Sequence, residues 1–185
     1  MMNLVDNRVH FRGTQMKIAI IGYSGSGKST LARELAEAYQ LPVLHLDQVQ
    51  FLPGWKERTT EEQCEIVYNF MNEYPSWVID GNYSRVCYTE RMEQADLIIE
   101  LLFNRFTCLN RARKRYIRYK GQSRPDMTED CNEKLDWEFI RWILFDGRTK
   151  KHRKRYRSIQ NLYPDKVIVL RNQKQIDQYL LSLKK

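Results

Sequence analysis

Five short stretches of the chain read as strands that are apolar or β-branched on both faces: Lys17 to Ile21, Val43 to Asp47, Trp77 to Asp80, Asp96 to Leu102, and Lys166 to Leu170. Runs of this kind fit parallel strands covered on both sides. Between them the pattern turns helical. Ser29 to Tyr39 presents Leu31, Leu35 and Ala38 on one side. Thr59 and Glu62 have capping-box spacing ahead of Ile66, Val67 and Phe70. After Asn172 as a cap, Ile176, Tyr179, Leu180 and Leu183 recur at i, i+3, i+4 and i+7. Alternation of strand and helix through five cycles predicts an α/β fold, an open five-stranded parallel sheet with helices on both faces. About sixty residues separate the fourth strand from the fifth, too many for a simple crossover. They start with a basic helix over Arg105 to Lys120, break at Gly121 to Asp126, and resume as a helix near Leu135 to Phe145. This predicts a mobile helical lid over about residues 104–160.

Composition narrows the class. A chain of 185 residues accommodates one compact domain, and 42% hydrophobic residues suffice for a real core, which excludes a mainly disordered protein. The domain is expected over residues 16–185. Residues 1–15 have no clear period and read as a dispensable extension, or Met16 as the natural initiator. The longest apolar stretch is far short of the ~20 residues a membrane span needs, and no secretory signal is readable, so the expectation is a soluble cytoplasmic protein with no membrane partner. The four cysteines lie 21 to 23 residues apart without a C-x-x-C pair, which fits reduced thiols and no zinc site. Three histidines leave little material for a catalytic triad.

The net charge of +8 is concentrated. Asn104 to Lys120 and Gly147 to Arg157 each hold seven Lys or Arg and no acid, and the rest of the chain has 17 basic against 23 acidic residues. Localised basicity points to anion sites.

The chemistry centres on Gly22-Tyr23-Ser24-Gly25-Ser26-Gly27-Lys28-Ser29, which fits G-x-x-x-x-G-K-[ST] between a strand and a helix. Chance would supply roughly 0.002 such matches in a chain of this composition. Glycines there let consecutive backbone N–H groups turn around phosphate oxygens, and the helix adds its positive end. Gly22, Ser24, Gly25, Ser26, Gly27, Lys28, Ser29 and Thr30 are therefore expected to bind the nucleotide. Lys28 would bridge the β- and γ-phosphates, and Ser29 would coordinate Mg²⁺. Asp80 ends a buried strand and is a second Mg²⁺ candidate; the alternative is a turn cap in Asp80-Gly81-Asn82. Asp47 would face the same edge, to orient or deprotonate an acceptor hydroxyl, or as a solvated loop acid. Arg85 can reach a phosphate or an acidic acceptor, or stand alone on the surface. Arg111 and Arg115 share a helix face, with Arg118 one turn on and Arg124 in the following loop, as arginines that close over a transferring phosphate do. The second basic run, with Tyr156 interleaved, could bind a nucleic-acid backbone, complete the lid or be merely exposed. Trp55, near Phe51 and Pro53, could stack on an acceptor or pack under its loop.

These residues carry a resemblance. The segments IAIIGYSGSGKSTLARELAE, LPVLHLDQVQFLPGW, WVIDGNYS, Gln122 to Met127, Leu135 to Trp142 and VIVLRN are similar to the adenylate-kinase-like P-loop family of DNA topology modulation proteins, from Met16 to Leu183. The resemblance implies sheet order 2-3-1-4-5 with a helical lid between strands four and five. It also implies ATP and Mg²⁺ as cofactors, Asp80 serving magnesium, Arg85 the acceptor phosphate, and Arg171 and Asn172 near the adenine. Asn82 and Ser84 depart from the Asp-Gly-aromatic-Pro-Arg element of adenylate kinases, so the resemblance does not carry over AMP as acceptor. The resulting expectation is an ATP-dependent, magnesium-requiring phosphotransferase acting on a nucleotide or other small acceptor. A DNA-binding P-loop ATPase or regulator, and a nucleotide-binding protein without turnover, stand as alternatives. The direction in which the basic runs point would separate the first two.

Overall fold

A computed structural model describes residues 15–183. The expected extension, apart from Gln15, lies outside the described residues. The strands are β1 (Lys17–Gly22), β2 (Val43–His45), β3 (Phe51–Leu52), β4 (Lys56–Glu57), β5 (Trp77–Asp80), β6 (Leu97–Leu101) and β7 (Val167–Leu170). The α-helices are α1 (Lys28–Tyr39), α2 (Leu46–Gln50), α3 (Thr60–Glu73), α4 (Tyr88–Gln94), α5 (Arg105–Arg118), α6 (Trp137–Leu144), α7 (Lys150–Leu162) and α8 (Gln173–Leu183). Five strands pair in parallel in the order β2-β5-β1-β6-β7, which is the expected 2-3-1-4-5, and β3 and β4 form a small antiparallel hairpin.

Alternate residues of each strand feed two cores. Ile18 and Ile20 of β1, Val78 of β5 and Leu97, Ile99 and Leu101 of β6 pack with Leu31 and Leu35 of α1, Cys108 and Ala112 of α5, and Ile176 of α8. Ala19 and Ile21, Trp77 and Ile79, and Ile98 pack on the other face with Val67 and Met71 of α3, Met92 of α4, and Tyr156 and Ile159 of α7. This two-sided burial is why the strand sequences are apolar on both faces, with Glu100 inside β6 and His45 and Asp80 at strand ends as the buried polar exceptions. The predicted caps are present: Thr59 and Glu62 form a reciprocal capping box at α3, and Asn172 Oδ1 accepts from the Gln175 N–H at 3.0 Å. Among the described residues, no helix is long and apolar enough to cross a membrane.

The structure corrects one expectation. The second strand ends at His45, and Asp47 lies in the short helix α2 rather than on the strand. In this structure the segment between α5 and α6 is docked on α2 and β3. Thr128 Oγ1 donates to the Phe51 carbonyl at 2.6 Å and Gln48 Nε2 to the Pro125 carbonyl at 3.2 Å, while Met127 and Cys131 are buried.

Candidate active site

The loop from Gly22 to Gly27 is shaped by close approach. Gly25 has φ +76°, and a Cβ there would lie 2.5 Å from the Cys108 carbonyl oxygen of α5. Gly27, at φ +100°, would put a Cβ 2.6 Å from Arg111 Nη2. Both positions need glycine for conformation, and Gly25 needs it for space as well because its neighbour is backbone; the loop is thereby pressed against the helix that carries the first basic run.

Lys28 opens α1 and donates from Nζ to the Tyr23 carbonyl at 3.2 Å. Burial lowers its ammonium pKa, and the nearby Asp47 and Asp80 carboxylates oppose that shift. Ser29 Oγ donates to Asp80 Oδ2 at 2.9 Å. The other Asp80 oxygen, Oδ1, is in contact with His45 Nδ1, and both side chains are buried. The lone serine hydroxyl and one carboxylate beside a cradle of backbone amides are hard oxygen donors suited to Mg²⁺ that arrives with phosphate oxygens. Among the described residues, no group of three or more His, Cys, Asp or Glu forms a metal cage.

Asp47 is held at both oxygens: Tyr83 Oη donates to Oδ1 at 2.6 Å, and Arg124 Nη2 donates to Oδ2. Burial and the Asp47 charge push the Tyr83 hydroxyl well above its ordinary pKa, so it remains a donor. Arg124 is buried and also pairs with Asp126 at 3.3 Å and Glu133 at 3.6 Å. Asp126 in turn takes Arg33 of α1 at 2.7 Å, and Glu133 takes Arg115 of α5 at 2.7 Å. This chain of ion pairs ties the lid to α2, which bears Asp47. Arg91 of α4, with no exposure, donates to the Val86, Gly81 and Tyr83 carbonyls at 3.0, 3.3 and 2.9 Å and so fixes the loop that presents Asn82, Tyr83 and Arg85. Burial pulls its pKa down to about 10.

A single cleft of about 1160 Å³ joins these parts. It is lined by the phosphate loop, Ser29, Asp47, Asp80, Arg85, Arg111 and Arg115, and Arg118 and Lys114 face it from α5. From α7, Lys151, His152 and Arg155 reach the same cleft. Trp142 of α6 donates from Nε1 to Ser24 Oγ at 3.0 Å, so the lid touches the phosphate loop directly. Arg85 is exposed at the rim, and Trp55 lines the cleft while packing edge-on to Phe51 with Lys134 over its ring.

Three expected roles are changed by the structure. Arg171 is exposed after β7 and does not line the cleft; its N–H donates to Gln175 Oε1. Ser26 is fully buried and does not line the cleft, and its N–H donates to the Tyr23 carbonyl at 3.1 Å inside the loop. Tyr156, interleaved in the second basic run, is not exposed with it but is buried on the core side of α7, accepting from Asn82 Nδ2 at 2.8 Å. The second basic run thus divides by helical face. Arg148 is used internally, its guanidinium 3.8 Å from the Tyr23 ring centre and donating to the Phe103 and Ile143 carbonyls. Lys151 and Arg155 face the cleft, whereas Lys150, Arg153, Lys154 and Arg157 are exposed. No local sequence pattern assigns a role to His45, Tyr83, Arg91, Asp126 or Glu133. His45 carried the one usable signal, two residues before Asp47 at the end of a strand.

A shikimate kinase from Bacteroides thetaiotaomicron superposes with a TM-score of 0.50 over 92% of this chain and 97% of that one, at 17% identity. An uncharacterized protein from Eubacterium ventriosum gives 0.49 over the same shares at 20% identity. The five-stranded parallel α/β fold is shared with that shikimate kinase. Adenylate isopentenyltransferase 8, chloroplastic, from Arabidopsis thaliana is 32% identical over 65 residues, 33% of this chain; the aligned part spans 20% of that relative's length. No protein-family model matches the sequence.

Proposed function

We propose that the protein is an ATP-dependent phosphotransferase that uses Mg²⁺ and transfers the γ-phosphoryl group to a hydroxyl of a small acceptor, a nucleotide or other metabolite. The observation that carries the reading is the placement of Asp47 in the same cleft as Lys28 and Ser29, with both its oxygens already held by Tyr83 and Arg124. A carboxylate fixed in this way can accept the hydrogen bond of an acceptor hydroxyl and aim its oxygen at the phosphate. The loop amides and Lys28 would hold the triphosphate, and Ser29 and Asp80 would hold Mg²⁺, which supplies charge neutralisation on the phosphate oxygens when bound. Arg111 and Arg115 converge from α5 and Arg155 from α7, where charge builds on the transferring group. Arg85 is the cation available to an anionic group on the acceptor. Trp142 and the docked lid help keep water from the phosphate, which favours transfer over hydrolysis. The fold shared with shikimate kinase, named for a small-molecule acceptor, is consistent with this direction.

The test is equilibrium ATP binding and ADP release in Lys28→Ala and Asp47→Asn. Loss of ATP binding in the first and retained binding with lost acceptor-dependent turnover in the second are expected. Unchanged affinity in Lys28→Ala removes the phosphate-loop assignment. A second reading, a DNA-binding ATPase, is favoured by one observation: Lys150, Arg153, Lys154 and Arg157 form an exposed outward stripe on α7. Salt-dependent DNA binding that disappears when all four are changed to alanine would support it.

A further inference from the structure

We propose that His45 is a positioning residue for the divalent cation: by holding Asp80 Oδ1 it fixes which carboxylate oxygen is presented beside Ser29. The inference rests on the reading of the cleft as a nucleotide and Mg²⁺ site and assigns a role to a residue that the phosphate loop and the lid arginines leave unexplained.

The backbone makes the contact unavoidable. His45 is the last residue of β2 and Asp80 the last of β5, and the parallel register pairs these two positions directly. Ile20 of β1 pairs with Asp80 on the other side, so the carboxylate stands at the carboxyl edge of the sheet between β2 and the phosphate loop that follows β1. His45 is 5% exposed and Asp80 4%. A carboxylate so deeply placed needs donors, and it has two of different kinds: Nδ1 of His45 on Oδ1, and the Ser29 hydroxyl on Oδ2 at 2.9 Å.

The two donors are not equivalent toward a cation. A serine hydroxyl that gives a lone pair to a metal keeps its O–H for a neighbouring acceptor, so Oδ2 and Ser29 Oγ work as one unit next to the Lys28 ammonium. The imidazole N–H has no such second duty. An aspartate side chain otherwise turns easily about its last torsion, which is broad and two-fold, and exchange of its oxygens would break the Ser29 pair each time. With Oδ1 bound to a ring that β2 holds rigid, that turn is blocked. Hydrogen bonds that orient a metal-binding carboxylate typically change metal affinity by about 10- to 100-fold when removed. A purely structural pin between β2 and β5 would instead weaken the whole cleft, with or without metal.

The experiment is isothermal titration of ATP into the full-length protein, once in excess MgCl₂ and once in EDTA, for the wild type, His45→Phe and His45→Asn. The ratio of the two dissociation constants is the magnesium-driven gain. In His45→Phe that gain should shrink by about 10-fold or more, while the affinity in EDTA stays within about threefold. His45→Asn, whose side-chain N–H can replace Nδ1, should restore most of the gain. His45→Leu carries the comparison if the phenylalanine variant does not fold. An unchanged gain in the variant without a side-chain donor at position 45, or an equal loss in both media, overturns the proposal. So does wild-type affinity that is indifferent to magnesium while ATP still binds. Wild type that binds no ATP in either medium overturns the nucleotide reading itself.

Discussion

Glu100 lies in the middle of β6 with no exposure, and only one of its oxygens is satisfied: Gln160 Nε2 of α7 donates to Oε2 at 2.6 Å, while Oε1 has no partner. Burial raises its pKa from the ordinary 4.5 to about 7, against the weaker pull of the Gln160 N–H and the Arg171 charge. Between those two values the folded protein keeps a proton that the unfolded chain has released. Stability therefore falls as pH rises through this window, and the full loss is reached above the folded value. At about 1.4 kcal/mol for each pH unit between the two values, the cost at pH 8 is on the order of 3 kcal/mol. Glu100→Gln keeps the shape and an acceptor for Gln160 but cannot ionise. Urea midpoints measured from pH 5 to pH 8.5 should show the variant no more stable than wild type at the acid end. It should be more stable by about 2–3 kcal/mol at pH 8, the difference opening up to pH 7. A difference that does not change with pH, or a variant weaker than wild type at pH 8, refutes the reasoning. The same residue anchors α7, the helix that brings Lys151 and Arg155 to the cleft.

Further outcomes follow from the ion pairs around Asp47. Tyr83→Phe removes one hydrogen bond to the Asp47 carboxylate, so acceptor-dependent kcat should drop about 10-fold with ATP affinity unchanged, read by steady-state kinetics beside titration calorimetry. Arg124→Met leaves Asp47, Asp126 and Glu133 without their shared partner and should cost about 3–5 kcal/mol near neutral pH in denaturant unfolding. Burial raises the Asp126 pKa, but Arg124 and Arg33 outweigh it and hold the group below its ordinary value. This stabilisation is present above the unfolded pKa and is lost as pH falls through the lower folded one, so the penalty of Arg124→Met should narrow below about pH 4.

The sequence announces the parts of this fold that obey local rules. The five strands are legible because each is apolar on both faces, and the phosphate loop because its glycines sit at fixed spacing between strand and helix. Thr59 and Glu62 reveal the start of α3 for the same reason. What stays hidden depends on distant partners. Arg124 reads as one more phosphate-binding arginine, yet it is 77 positions from the Asp47 carboxylate it holds and is surrounded by two further acids from its own loop. Tyr156 sits in a charged run and reads as an exposed aromatic, but the helix phase turns it into the core while Lys151 and Arg155 turn to the cleft. Asp47 is placed on a strand by the apolar run before it, but the backbone enters α2 at Leu46. Arg91 looks like an ordinary surface cation, because nothing local says that three carbonyls of the 81–86 loop will meet it.

The central claim, phosphoryl transfer guided by Asp47 in the phosphate-loop cleft, is tested most directly by mass spectrometry of small molecules. Purified protein is incubated with ATP, Mg²⁺ and a panel of nucleosides, nucleoside monophosphates and hydroxyl-bearing metabolites, in parallel with Asp47→Asn. The account predicts that at least one compound gains a phosphoryl group in step with ADP release, and that Asp47→Asn binds ATP normally but forms product at least about 100-fold more slowly. ADP release that proceeds at the same rate with every compound and with none, leaving all of them unmodified, would contradict it.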